Sequence, residues 1–222
     1  MSSTAPTIAN LGTQLEELAA GFAGNAPADV TASFGQAIEQ LATSGILEQS
    51  LKAGESAPDF TLPNATGGEV HLADLLARGP VVLTFYRGEW CPWCNLTLRA
   101  YQAALPEFQR YGAQLVAISP QTPDNSLASA TNKELTYPVL SDAGNSVARQ
   151  YRLVYKFSDE LKEATLKLGV DLQQFNGDDR WELPLAGTFV IGQDGKVKNA
   201  FVDASFMKRM EPSAILETLQ QL

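Results

Sequence analysis

One segment of the chain decides the fold: Val81-Val82-Leu83-Thr84-Phe85-Tyr86-Arg87-Gly88-Glu89-Trp90-Cys91-Pro92-Trp93-Cys94. Its first half is a continuous apolar and β-branched run, which is typical of a strand buried on both faces of a sheet. A short loop follows, and Pro92 favours the first position of a helix, where its missing N–H is no loss. The segment therefore predicts a buried strand, a loop, and a helix that begins directly after Cys91.

The predicted helix start places Cys91 at the N-cap, where unpaired backbone N–H groups and the helix dipole face its sulfur. Thiols in such positions have pKa values of about 3.5–7.5 instead of about 8.5. We therefore expect Cys91 to be a thiolate nucleophile at neutral pH. Cys94 lies one turn further on the core-facing side, close enough to bridge to Cys91 and to resolve its oxidised form. We expect Pro106 to kink or end this helix near Leu105.

The composition excludes several classes of protein. The chain has 222 residues, with 16 Lys and Arg against 25 Asp and Glu, which gives a net charge of −9. This acidic balance argues against nucleic acid or an anionic membrane as a partner. Two cysteines do not make a disulfide scaffold, and with one histidine they are too few for a closed zinc site. We interpret His71 as a surface or strand-packing residue.

Targeting and cofactor motifs are missing from the sequence. Residues 1–10 contain no basic residue before an apolar stretch, as a signal peptide would. No apolar run reaches the roughly 20 residues that span a bilayer. We therefore expect a cytoplasmic protein without a membrane partner, in a compartment where thiols stay reduced. No P-loop or dinucleotide fingerprint is present, so we expect no nucleotide or other cofactor.

The N-terminal 52 residues differ in pattern from the rest. Apolar residues recur at helical spacing in two stretches separated by Gly24-Asn25-Ala26-Pro27, which predicts a helical hairpin. The first stretch contains Ile8, Leu11, Leu15, Leu18 and Phe22, and the second contains Val30, Phe34, Ile38 and Leu41. We divide the chain into an N-terminal helical extension, residues 1–52, used for packing or dimerisation, and a domain of residues 53–222.

In residues 53–222, predicted strands alternate with predicted helices. The strands cover residues 60–62, 70–72, 80–86, 115–118, 139–140, 188–191 and 197–202, and the helices begin at Pro92 and Pro212 or lie at 127–135 and 161–170. Asp194-Gly195 between the last two strands favours a hairpin. The pattern indicates an α/β fold whose central sheet is mixed and flanked by helices.

Beyond these patterns, the chain resembles the peroxiredoxins of the alkyl hydroperoxide reductase and thiol-specific antioxidant (AhpC/TSA) family over roughly residues 53–222. The matching segments are Ala57-Pro58-Asp59-Phe60-Thr61-Leu62, Val82-Leu83-Thr84-Phe85-Tyr86, Val116-Ala117-Ile118-Ser119-Pro120, Tyr137-Pro138-Val139-Leu140-Ser141-Asp142, Val147-Ala148-Arg149-Gln150-Tyr151 and Thr188-Phe189-Val190-Ile191. The stretch from Arg87 to Leu96 and Phe175-Asn176-Gly177-Asp178 are similar to a bacterial peroxiredoxin-like subgroup. The resemblance implies a thioredoxin fold, a peroxide substrate, a thiol protein such as thioredoxin as reductant, and a homodimer.

The chain also departs from that family. Peroxiredoxins carry Pro, Thr and Arg where Arg87, Gly88 and Ala186 stand here. In that family, those groups orient the peroxide and stabilise the thiolate. Arg87 could supply the missing positive charge beside Cys91, or it could instead form a surface salt bridge with Glu89. Thioredoxins place a cis-proline where Gly187 stands here, which favours peroxide over protein disulfides. We expect Trp90 and Trp93 to form an apolar rim for partner docking or to serve packing.

Three functions remain open from the sequence. The first is a thiol peroxidase, in which Cys91 becomes a sulfenic acid, forms a disulfide with Cys94, and is recycled by an external thiol. The second is a thiol–disulfide oxidoreductase that uses the same Cys-Pro-Trp-Cys pair. The third is a non-enzymatic redox sensor whose disulfide alters a partner surface.

Overall fold

The computed structural model describes residues 10–222. The helices are α1 (Leu11–Asn25), α2 (Ala28–Thr43), α3 (Ile46–Gln49), α4 (Leu72–Leu76), α5 (Pro92–Arg110), α6 (Pro123–Asn132), α7 (Ser146–Gln150), α8 (Asp159–Lys167), α9 (Leu172–Asn176) and α10 (Pro212–Leu219). The strands are β1 (Thr61–Pro63), β2 (Glu69–His71), β3 (Val81–Phe85), β4 (Gln114–Ser119), β5 (Val139–Ser141), β6 (Val154–Lys156), β7 (Glu182–Pro184), β8 (Gly187–Ile191) and β9 (Val197–Val202). None of the helices in this part of the chain has the length and apolar character needed to cross a bilayer.

A five-stranded mixed sheet with the order β5-β4-β3-β8-β9 forms the centre of the fold. Strand β3 pairs in parallel with β4 and antiparallel with β8, so it lies in the middle of the sheet. Every residue of β3 and of β8 is buried, as expected for apolar strands covered on both faces. The prediction of an α/β fold with a mixed sheet is confirmed. The end of β3 carries the loop that leads to the two cysteines.

Helix α5 connects the cysteines to the core. It begins at Pro92, with Cys91 at its N-cap, as the sequence predicts. Its buried face includes Leu98, Tyr101 and Phe108, which pack in one apolar cluster. The prediction that Pro106 would kink or end the helix near Leu105 is wrong about its end, because α5 continues to Arg110. Buried side chains on both sides of the proline, Leu105 and Phe108, hold this last turn against the core.

The N-terminal residues form the two predicted helices, α1 and α2, but the prediction that these helices pair as a hairpin is wrong. Helix α1 packs on α5, whereas α2 packs on α8. Leu11 and Leu15 of α1 and Val30 and Phe34 of α2 are buried in the same apolar cluster as α5. Ile8, which the sequence pattern assigned to the first helix, lies outside the described residues. The two helices therefore pack against the same core as the cysteine-bearing helix.

Candidate active site

The loop between β3 and α5 has a conformation that requires glycine. Gly88 has a φ of +151°, which side-chain-bearing residues rarely adopt. A Cβ atom built there would lie 2.3 Å from Trp90 Nε1 and 2.7 Å from Gln121 Oε1. A threonine at this position, which peroxiredoxins carry, would therefore collide with the loop. The loop is closed further by the backbone N–H of Glu89, which donates to Gln121 Oε1.

Both cysteines are reduced and completely buried. Cys91 lines a chamber of about 430 Å³ that opens beside the helix start, whereas Cys94 is not part of its wall. This arrangement agrees with the expectation that Cys91 faces the site and Cys94 faces the core. The two thiols are neighbours on one helical turn, and the ionisation of each affects the pKa of the other.

The sulfur of Cys94 receives more donors than that of Cys91. The backbone N–H of Arg87 donates to Cys94 Sγ over 3.4 Å, and the guanidinium Nη2 of Arg209 donates to it over 3.3 Å. Cys91 Sγ has the Arg87 Nη1 at 3.9 Å and makes no hydrogen bond that caps the helix. The closest N–H donor and the closest guanidinium of the site thus lie at Cys94 Sγ and not at Cys91 Sγ.

The surroundings of the two thiols reverse the expectation that Cys91 has the low pKa. Burial raises the pKa of Cys91 well above its ordinary value, and the interaction with Cys94 raises it further. Burial also acts to raise the pKa of Cys94, but the interaction with Cys91 and the charges of Arg209 and Arg87 lower it well below the ordinary value. The helix N-terminus faces Cys91, yet the nearer donors surround Cys94. These directions favour the proton on Cys91 and the negative charge on Cys94, in a pair that shares its two ionisations.

Arg87 is a buried residue of the site and not a surface ion-pair partner. It is 2% exposed, and its guanidinium lies over the rings of Trp90 and Phe206 at 4.8 and 4.3 Å. The alternative pairing with Glu89 is wrong, because the Glu89 carboxylate lies 3.8 Å from Lys133 Nζ and accepts a hydrogen bond from Asn132.

Arg209 is a site residue that the sequence reasoning missed. It is 8% exposed, and its Nη1 donates to the carbonyls of Phe206 and Lys208, which fixes the guanidinium beside Cys94. In residues 10–222, neither Arg209 nor Arg87 forms a salt bridge with a carboxylate. Each guanidinium instead approaches a cysteine sulfur, Arg209 at Cys94 and Arg87 at Cys91. Arg209 lies 115 residues after Cys94, so no spacing rule links them.

Trp90, Trp93 and His71, which the sequence analysis also singled out, are placed as follows. Trp93 is buried, with edge-on contacts to Phe22 and Phe206, so its packing role is evident. Both Trp90 and Trp93 also line the chamber. His71 lies at the end of β2, where its Nε2 is 2.7 Å from an exposed carboxylate of Asp59. His71 is half-buried in the β1–β2 pair, which agrees with its interpretation as a surface or strand-packing residue.

The family model described as "AhpC/TSA family" matches residues 53–200. This chain belongs to the AhpC/TSA family. The crystal structure of peroxidoxin BcpB from Mycobacterium tuberculosis is similar to this chain, with 28% sequence identity and a TM-score of 0.63. That match covers 78% of this AhpC/TSA chain and 98% of BcpB. The expected thioredoxin-type fold with peroxiredoxin-like architecture is confirmed by this similarity.

Curated relatives of this AhpC/TSA chain match it over shorter regions. A protein of M. tuberculosis (strain CDC 1551 / Oshkosh), provisionally named a peroxiredoxin, is 36% identical over 101 residues. Chloroplastic peroxiredoxin Q of Gentiana triflora is 33% identical over 98 residues. These regions are 46% and 44% of this chain, and they span 66% and 45% of the two relatives.

Proposed function

We propose that the protein is a thiol peroxidase that reduces hydrogen peroxide or organic hydroperoxides, with Cys91 as nucleophile and Cys94 as proton acceptor and resolving thiol. The observation that carries the proposal is the buried cysteine pair flanked by two arginines without carboxylate partners. Its supporting context is the AhpC/TSA family and the relatives named peroxiredoxins. Only Cys91 of the pair lines the chamber, so Cys91 meets the peroxide.

The first step oxidises Cys91. The Cys91 S–H gives its proton to the Cys94 thiolate, and the new Cys91 thiolate attacks the terminal oxygen of the hydroperoxide. The O–O bond breaks, Cys91 becomes a sulfenic acid, and the leaving alkoxide takes the proton back from Cys94 to form the alcohol. Cys91 loses two electrons and the hydroperoxide gains them. Arg87, 3.9 Å from Cys91 Sγ, stabilises the negative charge that moves between sulfur and oxygen.

The second step forms the disulfide. Cys94 is again a thiolate, and it attacks the sulfur of the Cys91 sulfenic acid, which releases hydroxide; this hydroxide takes a proton from the solvent to become water. The low pKa of Cys94 favours this step, because the thiolate and not the thiol is the nucleophile. An external dithiol then reduces the Cys91–Cys94 bond and becomes a disulfide itself.

The external partners complete the cycle. Thioredoxin or another thiol protein is the proposed reductant, the cytoplasm is the proposed compartment, and a homodimer is the proposed assembly. The exchange with the reductant requires movement at the helix start, because neither sulfur has exposed surface when reduced. The same burial disfavours the alternative of a general oxidoreductase, whose nucleophile must reach into a protein disulfide.

Stopped-flow oxidation of the reduced protein by hydrogen peroxide and by cumene hydroperoxide tests the proposal. We expect a rate constant at least about 100-fold above that of free cysteine for one of the two. We expect the Cys91→Ser variant to be inert. A rate no faster than that of free cysteine with both oxidants would refute the proposal. Rapid exchange with insulin-type disulfides in that case would favour the oxidoreductase.

A further inference from the structure

Part of the wall of the chamber beside Cys91 is built by residues outside the AhpC/TSA match. The chamber has a volume of about 430 Å³, within the range of small-molecule sites. The family match begins at residue 53, whereas the N-terminal helices α1 and α2 supply Leu18, Gly21, Phe22 and Phe34 to the wall. The N-terminal extension thus covers the site of the reaction.

The chemistry of the wall indicates an apolar, uncharged ligand. Most of the accessible lining is apolar, and its charged residues within the described part of the chain are the exposed Glu17 on α1 and the buried Arg87 next to Cys91. Glu17 repels a ligand that carries a carboxylate. Three buried N–H donors of lining residues, Arg87 Nε, Trp90 Nε1 and Trp93 Nε1, have no hydrogen-bond partner within residues 10–222. Such donors suit the oxygen atoms of a hydroperoxide or of the alcohol formed from it.

We infer that the N-terminal helices α1 and α2 are the specificity wall of the enzyme and select hydroperoxides with a bulky, uncharged apolar group, of which cumene hydroperoxide is the test case. The inference rests on the proposed function. The apolar group lies between α1 and α2, and the peroxide group points to Arg87 and Cys91. Because Cys91 has no exposed surface, a side chain at the chamber floor moves when the O–O group enters.

Gly21 offers a direct way to fill the chamber. It lies within α1 on the wall, and a Cβ atom built there would meet nothing within 4 Å. Leucine is also the better helix former, so the Gly21→Leu variant should fold. Gly24 is the matched control, because it lies in the same helix with equally open surroundings but does not line the chamber.

The test compares rates for cumene hydroperoxide and hydrogen peroxide in wild type, Gly21→Leu and Gly24→Leu. We expect the wild type to prefer cumene hydroperoxide by about tenfold or more in kcat/KM. Gly21→Leu should lower kcat/KM for cumene hydroperoxide about tenfold and change kcat/KM for hydrogen peroxide by less than about twofold. Gly24→Leu should behave as wild type. Equal rates for both variants, or equal loss with both peroxides, would overturn the inference.

A binding measurement separates the specificity wall from the peroxidase activity. Cumyl alcohol, the product of cumene hydroperoxide, should change the fluorescence of Trp90 or Trp93, and Gly21→Leu should weaken its binding about tenfold. Alcohol binding without peroxidase activity would refute the proposed function but retain the apolar site. Peroxidase activity with no alcohol binding, or a Gly21→Leu variant slowed only in reduction by thioredoxin, would refute the specificity wall.

Discussion

Replacing Arg209 by methionine removes the charged donor closest to Cys94 and keeps a long apolar side chain in its place. The lost contact is the 3.3 Å hydrogen bond from Nη2 to the sulfur, in a position that is 8% exposed. The Nη1 bonds to the Phe206 and Lys208 carbonyls are also lost. The perturbation therefore acts on the thiolate and on the local loop.

The expected magnitude follows from the energy of a charge-assisted hydrogen bond. Such a bond contributes about 1.5–3 kcal/mol, which corresponds to a factor of about 10–100 in the ionisation equilibrium of Cys94. The pKa of Cys94 therefore rises, and less thiolate is available at neutral pH to accept the Cys91 proton. We expect the first oxidation step to slow about tenfold at neutral pH.

Thiolate absorbance in the ultraviolet, followed as a function of pH, measures the ionisation directly, and stopped-flow oxidation measures the rate. Lys208→Met is the matched control, because it removes the same charge from the neighbouring residue, whose side chain is 66% exposed. The control should leave both measurements unchanged. An ionisation curve of Arg209→Met that coincides with wild type would refute the assignment of Arg209 to the thiolate.

Other variants test separate parts of the account. Arg87→Met should slow oxidation at least about tenfold, with partial recovery in Arg87→Lys, since one buried charge is lost beside Cys91; equal rates in both variants would contradict this role. Cys94→Ser should accumulate sulfenic acid on Cys91 and also form it more slowly, because the proton acceptor is gone; an unchanged first step would show that Cys94 only resolves. Wild type should gain stability over Cys94→Ser as the pH rises from the lowered pKa of Cys94 toward about 8.5, and lose that gain on acidification; a constant difference in urea unfolding would argue against a buried thiolate. Phe34→Ala should lower the free energy of unfolding by about 3–5 kcal/mol, because Phe34 packs on Phe22 and Phe206; a loss below about 1 kcal/mol would show that helix α2 is not part of the core.

The sequence predicted the parts of the fold that are governed by local patterns. The buried strand β3, the helix start at Pro92 and the hairpin of β8 and β9 follow from apolar runs, a proline position and an Asp-Gly turn. Short elements such as β6 and β7 were not predicted. Each has only three residues, and their pairing joins segments about thirty residues apart, which leaves little local periodicity to detect.

The sequence predicted three residues of the site, but neither Arg209 nor the electrostatics. Adjacent sequence identified Cys91, Cys94 and Arg87, because one loop and one helix turn hold all three. The location of the thiolate depends on Arg209, which a distant loop brings to Cys94. The helix N-terminus does not lower the pKa of Cys91 as expected, because burial raises that pKa and the closer donors lower the pKa of Cys94 instead.

A single-turnover experiment with one equivalent of cumene hydroperoxide tests the central claim most directly. The reduced protein should lose two thiols and form one equivalent of cumyl alcohol, and mass spectrometry should locate one Cys91–Cys94 disulfide within the chain. In Cys94→Ser, the same treatment should leave a sulfenic acid on Cys91. Recovery of unreacted hydroperoxide with both thiols intact, or oxidation of Cys94 while Cys91 stays reduced, would contradict the account.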